Sequence, residues 1–198
     1  TGFAARVDPN GGASLTATNC IFSTAFYDGI FMNFDAPEPI SYEISNCTFY
    51  NVPELIRFGF VGEPGPSENV SVTATDSIID NADWVAPNDG TYFSPEPTVV
   101  HYGDAENTLA QLTLNNLAYR TQTFVSSMSG SREPAVNGNI IENADFQFKA
   151  TELTRDNFDD FLVIDNCSLL EGKATNGAPL DGARPSACAT DIEDWQLH

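Results

Sequence analysis

The amino-acid sequence predicts an all-β solenoid of about six stacked rungs with an irregular C-terminal cap. The first observation is a phrase that returns along the chain, apolar–x–apolar–x–Asn–small–x–apolar, and such repeats indicate stacked supersecondary units. The second is a separate strand-forming segment that follows the phrase at a matching period. The copies of the phrase are Leu15–Phe22, Tyr42–Phe49, Val72–Ile79, Leu112–Tyr119, the weaker Asn139–Phe146, and Leu162–Leu169.

Each copy begins with the alternation that is typical of a strand. In the first copy Leu15 and Ala17 face one side, and Thr16 faces the other. Asn or Asp then breaks the strand, because these residues tolerate left-handed backbone geometry and suit a tight corner. From corner to corner the steps are 27, 30, 40, 27 and 23 residues. We expect the corner amides to hydrogen-bond between rungs.

A second strand column is predicted between the copies. It begins at Ile30, Met32 and Phe34, and returns 26 residues later at Ile56, Phe58 and Phe60. We expect the same wall to continue in Val100 and Tyr102, and then in Phe146 and Phe148. Proline-rich stretches between the strands are predicted to be outward loops, because proline does not fit a central strand.

The chain reads as a single domain over residues 1–198, with rungs over about 14–170 and a cap or tail over about 172–198. The parts that do not repeat are the long insertion Ala86–Pro97, the polar loop Ser126–Pro134, and Ala150–Asp160, which is predicted to be a short helix or a run of turns. A functional site is expected in these parts, since the repeated residues are needed by every rung.

The net charge of the chain limits which classes of partner are expected. Asp and Glu number 28 against 8 Lys and Arg, which gives a net charge of −20. Nucleic acids and anionic membranes require a basic surface, so neither is an expected partner. No run of 18 apolar residues is present, so membrane insertion is not expected either. The acidic surface and an N-terminus that is neither Met-led nor a signal peptide predict a secreted or cell-surface location.

The cysteines have two readings. Cys20, Cys47 and Cys167 share one position of the phrase, which favours a packing ladder of free thiols. A disulfide between Cys167 and Cys188 is the alternative near the C-terminus, where it would hold the tail and imply an oxidising compartment.

Three stretches resemble right-handed parallel β-helix proteins of the pectin-lyase-like superfamily, and secreted Bacteroidota domains among them. They are Ile44–Val52, Leu55–Phe58 and Asn69–Ile79. The resemblance implies a right-handed coil over about residues 14–170. The superfamily includes polysaccharide lyases, polygalacturonases, tailspikes and non-catalytic surface modules, so the resemblance does not choose an activity.

No assembled catalytic set is visible. Lyases that this chain resembles use a Lys or Arg base, for which Arg57, Arg120, Lys149 and Arg155 are the eligible residues. Arg57 is expected to point outward, because it lies opposite the inward Ile56. His101 is interpreted as a structural strand residue.

Two groups of side chains are candidate binding residues. Trp84, Tyr92 and Phe93 lie in or beside the long insertion, where exposed rings would stack on sugars or seat the loop on the coil. Asp156, Asp159 and Asp160 offer oxygen ligands for calcium, as does the oxygen-rich stretch Asp80–Asp83, with a solvated acidic loop as the alternative.

The sequence thus favours a non-catalytic extracellular module that is structural, adhesive or carbohydrate-binding, with a polysaccharide or cell-surface glycan as its partner. The alternatives are a polysaccharide lyase or hydrolase domain, and a filament-forming surface subunit that binds other copies of itself.

Overall fold

The structure is a computed structural model that describes residues 5–6, 14–24, 29–32, 38–59, 66–86, 96–166, 170–180 and 182–183. Strands and turns make up nearly all of this part of the chain, so the prediction of an all-β protein is confirmed. The strands are β1 (Ala5–Arg6), β2 (Leu15–Thr18), β3 (Ile21–Ser23), β4 (Ile30–Met32), β5 (Ile40–Ser45), β6 (Thr48–Tyr50), β7 (Glu54–Phe58), β8 (Val70–Asp80), β9 (Thr98–Tyr102), β10 (Gln111–Arg120), β11 (Thr123–Ser127) and β12 (Ala135–Glu142), with a 3₁₀ turn at Thr175–Gly177.

The strands form two parallel sheets. One has the order β1-β4-β7-β9-β11, and the other has the order β12-β10-β8-β5-β2, with β6 pairing both β3 and β8. Neighbours in each sheet come from successive repeats, because the chain visits the other sheet between them. This parallel pairing is compatible with a β-helix.

The predicted corners are confirmed in the first four copies. Asn19, Asn46, Asp76 and Asn116 have φ between 49° and 54°, in the left-handed region. The strands that precede them pair in register at Leu15, Tyr42, Val72 and Leu112, as steps of 27, 30 and 40 residues require. At one step the corner side chains bond as expected, since Asn116 Nδ2 donates to Asp76 Oδ1 at 2.9 Å.

The fifth and sixth copies were assigned wrongly. In β12 Asn137 pairs with Asn115 and Ile140 with Leu117, so the residue at the corner is Gly138, with φ 71°, and not Asn143. Asn143 also has left-handed geometry, with φ 52°, and its sequence context resembles that of the corner residues. The sixth copy forms isolated bridges, of which Phe148 to Ile164 is antiparallel.

The second strand column is confirmed as far as Tyr102, apart from Phe34 and Phe60, which lie outside the described residues. Ile30 pairs with Ile56, and Ile56 pairs with Val100. The next member is Val125 of β11, so the expected continuation through Phe146 and Phe148 is wrong. Phe148 lies instead on the other sheet, with its ring against Tyr50 of β6.

The main core lies between the two sheets. Aliphatic and aromatic side chains stack from repeat to repeat, and Phe22 lies 4.6 Å from Phe49 with nearly parallel rings. In the first and last described repeats the corresponding side chains are half-buried; examples are Leu15 and Phe22 at one end, and Phe124 and Val125 at the other.

The C-terminal segment was predicted to cap one end, but its described part packs across the side of several repeats. The amide of Ala183 donates to Thr48 Oγ1 at 3.0 Å, and the amide of Thr175 donates to Asp76 Oδ1 at 2.9 Å. A second apolar cluster joins Ile78 and Ala118, which point away from the main core, to this segment. These outward apolar side chains need a cover, which an end cap would not provide.

Candidate functional site

A groove runs along the outer face of the sheet that contains β6, β8 and β10. Its floor is formed by Tyr50, Asp80 and Arg120, which are register neighbours at the ends of these strands. The opposite wall comes from residues 145–151, which leave the strand column after β12. Together they enclose a cavity of about 260 Å³, which we call the large cavity.

An ion-pair bridge crosses the floor of the groove. Arg120 Nε donates to Asp80 Oδ1 at 2.8 Å, and a second guanidinium nitrogen donates to Asp83 Oδ2 at 2.7 Å. Burial raises the pKa of Asp80, and the hydrogen bond from Arg120 offsets only part of this. Partial burial opposes the charge of Arg120, but its bonds to the two carboxylates outweigh that effect and raise its pKa.

Aromatic rings form the apolar part of the wall. Tyr50 and Phe148 meet edge to face with centroids 5.7 Å apart, and Phe146 stacks on Phe148 at 5.4 Å. Tyr50 and Phe148 are half-buried, so part of each ring remains accessible. A sugar ring has an apolar face that suits such a surface and hydroxyls that suit the neighbouring carboxylates.

A small cavity of about 20 Å³ adjoins the large one and shares Tyr50, Asp80 and Arg120 with it. Asn51, Asn81, Asp83 and Trp84 complete its lining. The two cavities are therefore neighbours, and the Asp80–Arg120 ion pair belongs to the lining of both.

The three aromatic residues proposed for sugar binding have different outcomes. Trp84 was expected to be exposed, but only 6% of it is accessible, because it lies in the tight turn after β8, where its amide donates to Asn81 O. It contributes to the lining of the small cavity and does not offer an open stacking face. Tyr92 and Phe93 lie outside the described residues, as does the rest of 87–95.

The proposed calcium ligands are not brought together into a metal site. Asp156, Asp159 and Asp160 are exposed in a run of turns, and Asp160 Oδ1 lies 4.0 Å from Lys149 Nζ. Within the described ranges, no group of three or more His, Cys, Asp or Glu side chains is placed to hold a metal ion.

The cysteine prediction is tested at two of its four positions. Cys20 and Cys47 are free thiols, and each donates to a backbone carbonyl of the preceding corner. Burial raises the pKa of Cys47 to about 11. Cys167 and Cys188, and with them the predicted disulfide, lie outside the described residues.

The four basic residues considered as lyase bases occupy different environments. Arg57 was expected to reach outward, but it is 4% exposed and lies 3.6 Å from Glu54, because both faces of β7 are covered. Arg120 is held by two carboxylates, as described above. Lys149 is partly exposed beside Asp160, and Arg155 is exposed.

His101 is a buried strand residue, as predicted. Its Nδ1 lies 2.8 Å from Ser126 Oγ, and its register neighbour on β7 is Arg57. Burial and the charge of Arg57 lower the pKa of His101 to about 4. With its pKa lowered and a cation as its register neighbour, the imidazole fits the structural role expected of it.

The sequence alone did not reveal the groove, although Arg120 had been considered as a base and Asp80–Asp83 as calcium ligands. A signal was present: Tyr50, Asp80 and Arg120 each lie four positions after the corner of their copy. Register alone therefore places them side by side on the outer face. The wall at 145–151 carried no such signal, since it follows a misassigned copy.

Comparison with known proteins finds no family model, no curated protein and no solved structure that matches this chain. In the part of the chain that the structure describes, no helix is long and apolar enough to cross a bilayer. The fold and the groove are thus the grounds on which a function can be assigned.

Proposed function

We propose that this chain is a right-handed parallel β-helix of the pectin-lyase-like kind, with about six rungs, that acts outside the cell as a non-catalytic carbohydrate-binding module. Support for the coil comes from two parallel sheets whose neighbours are one repeat apart, and from left-handed corners in one column. The net charge of −20 fits an extracellular, soluble surface.

The observation that carries the binding role is the groove. It places the partly accessible rings of Tyr50 and Phe148 against the carboxylates of Asp80 and Asp145. Binding sites for sugars need such a pairing of an apolar platform with directional polar groups. In the large cavity both are held by regular strands or by hydrogen-bonded turns.

Binding is favoured over lyase chemistry because the cation in the groove is not a base. A lyase base must lose its proton, whereas the two hydrogen-bonded carboxylates beside Arg120 raise its pKa. Arg57 is buried in an ion pair and cannot meet a polysaccharide. A neutral guanidine in either place would leave a buried carboxylate, that of Asp80 or Glu54, without its counter-charge.

A panel of immobilised polysaccharides tests the binding role. Wild type should bind at least one neutral or amine-bearing glycan, and Phe148→Ala should weaken that binding by about ten-fold. Phe158→Ala is the matched control, because Phe158 is 57% exposed and does not line the groove. Equal losses in the two variants would refute the assignment of the groove, and no binding to any glycan would refute the function.

The same samples test the enzymatic alternative. Incubation with alginate, pectin and chondroitin should produce no ultraviolet-absorbing unsaturated uronates and no new reducing ends. Clear turnover of any of them would replace the binding role with a lyase or hydrolase.

Self-assembly is a second candidate, favoured by the half-buried core side chains of the terminal repeats. Leu15 and Phe22 at one end, and Phe124 and Val125 at the other, are as apolar as the fully buried members of their columns. Head-to-tail stacking of copies would cover them and produce filaments. Light scattering over a range of concentrations and salt tests this, and a monomer throughout would exclude it.

A further inference from the structure

The hydrogen-bonding groups of the groove are unevenly balanced. Two of its donors are engaged inside the site: Arg120 donates to Asp80 and Asp83, and Gln147 Nε2 donates to Asp145 Oδ2 at 2.9 Å. Each of these carboxylates has lone pairs beyond the one that is used. A ligand therefore meets unused carboxylate acceptors, beside the hydroxyl groups of Tyr50 and Thr151 and the amide of Asn51.

Asn81 adds a buried acceptor to the small cavity. Its Nδ2 donates to the carbonyls of Pro53 and Thr98, both at 3.0 Å, and this fixes which end of the amide is oxygen, because a carbonyl cannot donate. Asn81 is 1% exposed, and its Oδ1 has no hydrogen-bond partner among the described residues. This oxygen is enclosed by the protein, so the acceptors that a ligand can reach are the carboxylates that line the two cavities.

The charged groups of the groove are mostly negative. Three carboxylates, from Asp80, Asp83 and Asp145, surround the single guanidinium of Arg120. The rest of the protein adds to this field, since the net charge is −20. A uronate would be repelled, whereas a cation with several N–H donors would meet unused acceptors in both cavities.

We infer that the groove binds a glycan that carries protonated amines, such as a glucosamine polymer, with a sugar ring against Tyr50 and Phe148 and an ammonium group against the carboxylates. This rests on the proposed carbohydrate-binding function and names its ligand class. An aromatic face beside the carboxylates also favours a cation. At about 260 Å³ the large cavity is just below the ~300 Å³ where pockets for drug-sized ligands begin, which suits one sugar unit at a time.

Calorimetry with three oligosaccharides of equal length tests the inference: glucosamine, its N-acetylated form, and galacturonate. The amine form should bind about ten-fold more tightly than the acetylated form, because acetylation removes a charge-assisted donor. Asp145→Asn keeps the shape of a groove carboxylate and removes its charge, so it should abolish most of that preference. Asp159→Asn is the control, as an exposed carboxylate outside the groove, and should preserve it.

The outcomes separate the inference from the proposed function. If the acetylated form binds as tightly as the amine, or galacturonate binds best, the ligand class is wrong while carbohydrate binding stands. If Asp145→Asn and Asp159→Asn reduce the preference equally, the amine is recognised by the general field and not by the groove. If none of the three binds to folded protein, as judged by circular dichroism, both the inference and the proposed function on which it rests are overturned for these sugars.

Discussion

The buried imidazole of His101 makes the stability of this protein depend on pH. Its pKa is about 4 in the folded protein and 6.5 in a model peptide, because burial and the charge of Arg57 disfavour the protonated ring. The unfolded chain therefore binds more protons than the folded chain between these values. Stability must fall as the pH falls from about 6.5 to about 4, and this contribution levels off below.

The size of the effect follows from the shift. Each pKa unit corresponds to about 1.4 kcal/mol, so a shift from 6.5 to about 4 is worth on the order of 3 kcal/mol. This is a large share of the 5–15 kcal/mol that typically stabilises a domain. Glu54 lies 3.6 Å from Arg57 and partly screens the cation, so 3 kcal/mol is an upper value.

Urea denaturation of wild type and His101→Gln at a series of pH values isolates this contribution. Glutamine removes the titrating group and still offers Ser126 a hydrogen-bond partner. The titration of carboxylates is common to both proteins and cancels in the difference. The free energy of unfolding of wild type relative to the variant should be constant above neutral pH and should fall by up to about 3 kcal/mol on acidification. A difference that does not change with pH would refute the claim that His101 is held neutral by its surroundings.

Three further predictions concern the backbone and the thiols. Asn46→Ala should lower the free energy of unfolding by about 1–2 kcal/mol, because Asn46 has φ 49°, and Asn46→Gly should cost less; thermal melts measure both. Gly29→Ala should lower the free energy of unfolding by about 3 kcal/mol or prevent folding, because a Cβ at this position would lie 2.5 Å from the backbone oxygen of Glu54. Urea denaturation and the yield of soluble protein measure this effect. A variant as stable as wild type would contradict the close packing at Gly29. In native protein iodoacetamide should modify Cys20 much faster than Cys47, whose pKa is raised to about 11, and peptide mass spectrometry that finds equal rates would contradict the burial of Cys47.

The first four repeats could be predicted from sequence because two independent signals coincide in them. Alternation sets which side chains face inward, and the Asn or Asp corner sets where each strand stops, so a single register satisfies both. That is why Leu15, Tyr42, Val72 and Leu112 align as predicted. The second column is confirmed for the same reason, since Ile30, Ile56 and Val100 alternate with the period of the first.

The prediction failed where the two signals separate. In β12 the corner is Gly138, and the left-handed Asn143 five residues later carries the sequence context of a corner. An extra residue opposite Asn116 absorbs the difference as a bulge, which alternation cannot reveal. From that point the chain leaves the column and folds back over Ile78 and Ala118.

The groove depends on this fold-back, which explains why only part of it could be predicted. Tyr50, Asp80 and Arg120 were predictable neighbours, because they share one register position. Phe148 was assigned to the inner wall because its alternation with Phe146 fits a strand as well as it fits the observed stack. Long-range packing decides between the strand and the stack, and the local sequence does not reveal that packing.

The most direct test of the account is a crystal structure of the protein grown with a glucosamine oligosaccharide. The account predicts parallel strands in register through Tyr42, Val72 and Leu112, with a sugar ring against Phe148 and its amine near Asp145. A sugar bound elsewhere, or a groove that stays empty at saturating ligand while the sugar binds in solution, would contradict it.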